Sequence, residues 1–123
     1  MLKTIFTVLL SIVLFACTSI QLKEMVSEND WQAVGEHHAN LGMKEYSSAQ
    51  LQVLSDKYGN GEVDYSRYRK GYQQGLSIYC QPEHASELGA EGKEYLGICG
   101  RLPHGDKFRR DWELAKDLRS TVM

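Results

Sequence analysis

Apolar residues follow three different regimes along this chain. From Ile5 to Ala16 they are nearly continuous, broken only by Thr7 and Ser11. From Thr18 to Glu28 they are scattered among polar residues. Beyond Asn29 they recur at intervals of three and four, the period of an amphipathic helix. Trp31, Val34, His38 and Leu41 share such a face and predict a helix over about residues 29–43, with Asn29 or Asp30 as N-cap. Ser47 and Gln50 have capping-box spacing ahead of Leu51, Leu54 and Tyr58, which predicts a second helix over about residues 48–58. Gly59 is expected to end it in the left-handed region, followed by a Gly59-Asn60-Gly61 turn. Tyr65, Tyr68, Tyr72, Leu76, Tyr79 and Cys80 predict a third helix over about residues 64–80, capped by Asp64 and stopped by Pro82. Phe108, Trp112, Ala115 and Leu118 predict a last helix over about residues 106–119, with those four side chains inward. The glycine-rich stretch 82–106 lies between, with a short helix expected near residues 90–98 carrying Tyr95 and Cys99. No alternating pattern competes, so the expected fold class is all-α, a small domain of about four helices over residues 29–123.

Glycines punctuate two of these helices. Gly35 and Gly42 sit seven apart, and Gly71 and Gly75 four apart. Each weakens a helix intrinsically, and close approach by another backbone is the expected compensation.

Composition narrows the classes. The chain has 123 residues, 42% hydrophobic and 24% charged, which fits one globular domain and not a disordered chain. A net charge of -2 with interspersed signs carries no footprint of nucleic-acid binding.

The amino-terminal run is shorter than the roughly 20 apolar residues of a spanning helix, and polar residues follow it at once. With Lys3 ahead of it, it has the form of a signal peptide. Its end, Leu14-Phe15-Ala16-Cys17, resembles the bacterial lipobox. That resemblance implies cleavage after Ala16 and acylation of Cys17 (palmitate-type chains), with residues 1–16 as signal peptide and 17–28 as lipidated N-terminus and tether. Two or three acyl chains on one residue give durable attachment to a bilayer, where one chain is marginal. Thr18 stands where an Asp often retains such proteins in the inner membrane, so the resemblance favours the outer membrane, facing the periplasm.

The chain has three cysteines. Lipidation of Cys17 leaves Cys80 and Cys99, and in an oxidising compartment that pair is the expected disulfide. A loop of this length contributes roughly 3 kcal/mol in the chain-entropy model.

Tyr68-x-x-Gly71-Tyr72-x-x-Gly75-Leu76-x-x-Tyr79-Cys80, followed by Gly89, Gly92, Tyr95 and Cys99, resembles the core of a bacterial lipoprotein family catalogued as domain of unknown function 2799. Asp30-Trp31-x-x-x-Gly35 is similar to that family's opening. The resemblance implies the lipid anchor and the Cys80–Cys99 pair, and brings no activity, substrate or catalytic residue. Where relatives can carry a further cysteine in the second helix, this chain has Ser55.

Candidate chemistry is sparse. Tyr68, Tyr72, Tyr79 and Tyr95 are candidate partner-binding aromatics, since tyrosine offers rigid area with a polar tip; lining a small core is the plainer role for them. His37 and His38 diverge by about 100° on a helix and do not share a metal, and His38 belongs with the apolar face. Cys80, His84, Cys99 and His104 have the right ligand types for zinc, but their spacing matches no common pattern. No Gly-x-Ser-x-Gly or His-Glu-x-x-His occurs. An enzyme, a resident cofactor and a metal centre are therefore not expected. The basic residues Arg101, Lys107, Arg109 and Arg110 are interrupted by Asp106 and Asp111, which favours surface solubility over contact with anionic lipid. The expected function is that of a membrane-anchored accessory or binding lipoprotein of the cell envelope, engaging an envelope protein or a cell-wall component. The alternative is a periplasmic small-ligand or metal-binding domain using His84, His104 or the tyrosines.

Overall fold

Side-chain caps decide where three of the helices begin. The structure, a computed structural model, describes residues 20–122; the expected signal peptide and Cys17 lie outside them. The helical residues 20–27 form α1. α2 covers Trp31–Asn40, with the Asp30 carboxylate accepting from the Ala33 N–H. α3 covers Ser48–Tyr58 behind a complete capping box: Ser47 Oγ accepts from the Gln50 N–H, and Gln50 Oε1 accepts from the Ser47 N–H. α4 covers Tyr65–Tyr79 behind Asp64, which accepts from the Arg67 N–H. α5 covers Pro82–Ala90 and α6 covers Gly105–Val122. Among the described residues there is no strand, and the fold is all-α with six helices instead of about four.

Several sequence expectations are corrected. Residues 20–27, assigned to a tether, are helical; Val26 is fully buried, and Leu22 and Met25 pack beside it. The folded body thus begins before residue 29. Pro82 ends α4 but also opens α5, because its missing N–H is one that a first helical turn leaves unpaired anyway. The helix expected near residues 90–98 lies instead at Pro82–Ala90, since Gly92 at φ +69 and Gly97 at φ +78 turn the chain out of it. Gly59 is extended, with φ -110 and ψ -168, and is not left-handed. Leu41 and Leu118 are exposed. Leu41 follows the end of α2, and the inner face of α6 continues through Arg119, whose guanidinium donates to the Ala90 carbonyl.

Two apolar clusters form the core. The first gathers Val26, Trp31, Val34, Leu51, Tyr68 and Tyr72. The second gathers Tyr79, Cys80, Leu88, Tyr95, Phe108 and Trp112. Leu76, in the last turn of α4, packs against both. Glycines let the helices meet. A Cβ on Gly35 would strike the Tyr68 carbonyl, and one on Gly71 the Gln32 carbonyl, so α2 and α4 cross backbone to backbone. Gly89 likewise faces the Trp112 carbonyl, where α5 meets α6. The Cys80–Cys99 disulfide joins the end of α4 to the irregular segment after α5, with Cα atoms 5.7 Å apart.

Candidate functional site

One flank of α4 presents Arg69, Tyr72, Gln73 and Leu76, residues spaced three and four apart and hence on one stripe. Two irregular segments rise beside it. The segment between α2 and α3 supplies Lys44 and Glu45, and the one between α5 and α6 supplies Leu96, Ile98, Arg101 and Leu102. Together they enclose a half-open groove of about 670 Å³.

Buried tyrosines fasten these walls. The Tyr72 hydroxyl donates to the Met43 carbonyl at 2.7 Å. The Tyr68 hydroxyl accepts from the Tyr46 N–H at 2.9 Å and lies 2.8 Å from His38 Nδ1. Tyr95 accepts from the Cys99 N–H at 2.9 Å, and His104 Nε2 donates to the Cys80 carbonyl at 2.7 Å. The four candidate aromatics Tyr68, Tyr72, Tyr79 and Tyr95 are at most 8% exposed, so they do not form an open aromatic face. Only Tyr72 among them lines the groove; Tyr68 and Tyr95 act on it through their hydroxyls.

The Tyr68 hydroxyl has one proton to give. Its oxygen accepts from the Tyr46 N–H, and its contact with His38 Nδ1 is satisfied by either tautomer of the neutral imidazole. Burial, reinforced by neighbouring His37, lowers the His38 pKa to about 4. Burial raises the Tyr68 pKa and lifts that of Tyr72 to about 12, with the Glu45 charge adding to the latter. The His38 shift has a signed consequence. The unfolded chain binds this proton below pH 6.5 and the folded chain only below about 4, so stability falls as pH drops through that window. At about 1.4 kcal/mol per unit, His38 accounts for a loss of about 3 kcal/mol. Urea midpoints of wild type and His38→Gln should therefore diverge between pH 7 and pH 4, with the wild type losing more; parallel curves would contradict the assignment.

Charge in the groove is uneven. Lys44, Arg69 and Arg101 stand against one carboxylate, Glu45, which Arg69 Nε holds at 3.3 Å. Arg109 lies behind the same wall, 5.4 Å over the Tyr95 ring, while Lys107 is paired with Asp111. The zinc-type set is not assembled: Cys80 and Cys99 are bonded to each other, and His104 is engaged with the Cys80 carbonyl. His84 stands edge-on to Tyr79 beside Glu87. Among the described residues no group of three or more His, Cys, Asp or Glu side chains is placed to hold a metal. Ser55 is buried, its hydroxyl donating to the Gly61 carbonyl.

Sequence reasoning missed the groove as such, although it named Tyr72 as a candidate binding aromatic and noted Arg101. The available signal was Leu96 and Ile98, two apart in a glycine-rich stretch, a spacing unsuited to one helix face.

The profile of a family described as "Protein of unknown function (DUF2799)" matches residues 30–117, a span that includes every residue lining the groove. The chain is 22% identical over 84 residues to "Uncharacterized protein YfiL" of Escherichia coli (strain K12), covering 68% of this chain and 69% of that protein. No solved structure matches. No helix among the described residues is long and apolar enough to cross a membrane.

Proposed function

The chain belongs to the DUF2799 family, and from that premise we propose that it is a lipid-anchored, non-enzymatic accessory protein of the bacterial cell envelope that binds a partner through the groove beside α4. The observation that carries the binding half is the groove itself, an apolar floor under a surplus of cations with walls fastened before any ligand arrives. Its described lining contains no nucleophile beside a base, and its one carboxylate is engaged by Arg69, which supports binding over catalysis. The anchoring half is supported by Leu14-Phe15-Ala16-Cys17 at the end of the apolar run, and Thr18 supports the outer membrane.

On this reading the body sits close to the bilayer. Residue 20 is already helical, and the three residues from Cys17 to it reach about 10 Å when fully extended. Fractionation of cells tests the anchor. The wild-type chain should stay in the membrane pellet through high-salt and carbonate washes, and Cys17→Ser should move to the soluble periplasm. A Cys17→Ser chain that remains in the pellet would refute lipid tethering. A second reading, a small-ligand domain, draws support from the groove's volume, which lies within the range of small-molecule sites.

A further inference from the structure

We propose that the occupant of the groove is a peptide segment of a partner protein, acidic in character, with an apolar side chain inserted between Leu76 and Ile98. This deepens the binding half of the reading above and is independent of the anchor at Cys17.

Charge complementarity is the first argument. The chain as a whole is acidic, with a net charge of -2, so the cation surplus in the groove is local. Lys44 and Arg101 have no carboxylate within ion-pair distance among the described residues. Arg69 shares its guanidinium with Glu45 through Nε, which leaves its other donors for a ligand. A ligand carrying two or more carboxylates would meet all three cations.

The backbone is the second argument, and it separates a peptide from an acyl chain. Among the described residues, the N–H groups of Leu96, Gly97 and Ile98 have no intramolecular hydrogen-bond partner, although these residues form one wall of the groove. Gly97 has no side chain to screen them. Successive backbone donors left unpaired beside a groove can be met by the carbonyls of another main chain, which adds affinity while side-chain pockets add specificity. An acyl chain offers nothing to these donors and would bury them at a cost.

The apolar floor fixes the third requirement. Leu76 and Leu102 are half-buried and Leu96 is 47% exposed, so the floor accepts an apolar side chain while its rim stays wet. The wall is held by the Cys80–Cys99 bond and by the Tyr95 and His104 hydrogen bonds, so little ordering entropy is lost when a ligand docks.

The test uses the full chain in nanodiscs of zwitterionic lipid and a fluorescein-labelled octapeptide of alternating Asp and Leu, followed by anisotropy. Saturable binding is expected, weaker at higher salt. Arg101→Glu and Lys44→Glu should each lose at least about tenfold in affinity, the scale of a charged hydrogen bond, whereas Arg67→Glu, a charge reversal outside the groove, should bind as wild type. An octapeptide with alternate backbone amides replaced by esters retains charge and side chains but, because ester carbonyls are weaker acceptors for these N–H groups, should bind more weakly. Helical circular dichroism and the melting temperature show whether each variant is folded. The proposal is overturned if the acidic peptide does not bind, if an alternating Lys and Leu peptide binds equally well, or if Arg101→Glu has no effect. It is also overturned if phosphatidylglycerol vesicles, and not the peptide, bind in an Arg101-dependent way, which would assign the groove to a lipid headgroup. Membrane fractionation of Cys17→Ser reports on the anchor separately, so failure of one reading is not failure of the other.

Discussion

Gly71→Ala should lose at least about 2 kcal/mol of stability, although alanine is the better helix former by about 1 kcal/mol. The added methyl would lie against the carbonyl carbon and oxygen of Gln32. Both partners are helix backbone, so neither can rotate aside, and relief requires α2 to move off α4. Overpacking of this kind costs typically about 1–3 kcal/mol and occasionally more. Here it also separates Trp31 and Val34 from Tyr68 and Tyr72, which are buried across the same crossing. Gly61→Ala is the matched control. The nearest atoms to its new methyl belong to the Asn29 side chain, at 3.3 Å, which can swing away. That variant should stay within about 0.5 kcal/mol of wild type. Urea midpoints of the two oxidised variants measure the difference; equal midpoints would mean that the helices do not cross at Gly71.

Loss of the disulfide should be comparably severe and differently distributed. Cys80 and Cys99 are both fully buried and lie 19 residues apart. Releasing a loop of that length costs roughly 3 kcal/mol through the unfolded state. For a domain near 100 residues this corresponds to a fall in Tm of about 10–20 °C. The damage should concentrate after α5, where the segment around Cys99 has no helix of its own and depends on this bond, Tyr95 and His104 for its place. Limited trypsin digestion of the reduced chain should therefore cut first at exposed Arg101. A melt unaffected by reduction, with two free thiols in the starting protein, would exclude the bond.

These expectations rest partly on features the sequence already displays. α3 is legible to the residue because its start is a local device, Ser47 with Gln50, and its apolar face is short and regular. α2 and α4 are legible from spacing and from Asp30 and Asp64, and the disulfide from the parity of the cysteine count. α1 was hidden because Leu22, Met25 and Val26 are scattered in a polar run; Val26 is buried, and Leu22 and Met25 partly so, only once the first core cluster, which runs on to Tyr72, is assembled. α5 was hidden because proline at position 82 reads as a stop when it serves equally well as a first helical residue. The groove is the least legible feature. Its floor is a stripe of α4, but its two walls come from segments some fifty residues apart, each irregular and each positioned by tyrosine hydroxyls donated from the core. Aromatic periodicity announced the tyrosines as core residues or as a binding face. Their combined role, rings inside and hydroxyls fastening loops, is a property of the assembled chain.

The division of the core into two clusters joined at Leu76 also sets an order of events for a chain delivered amino end first. Every member of the first cluster lies between Leu22 and Leu76, so that half can close while α5 and α6 are still on their way. The second half requires Trp112 and a covalent bond between Cys80 and Cys99, and so waits both for the rest of the polypeptide and for an oxidant. Until then α4 is finished on one flank and bare on the other, a half-built molecule whose exposed tyrosine and cysteine at the end of α4 are the site at which assembly resumes.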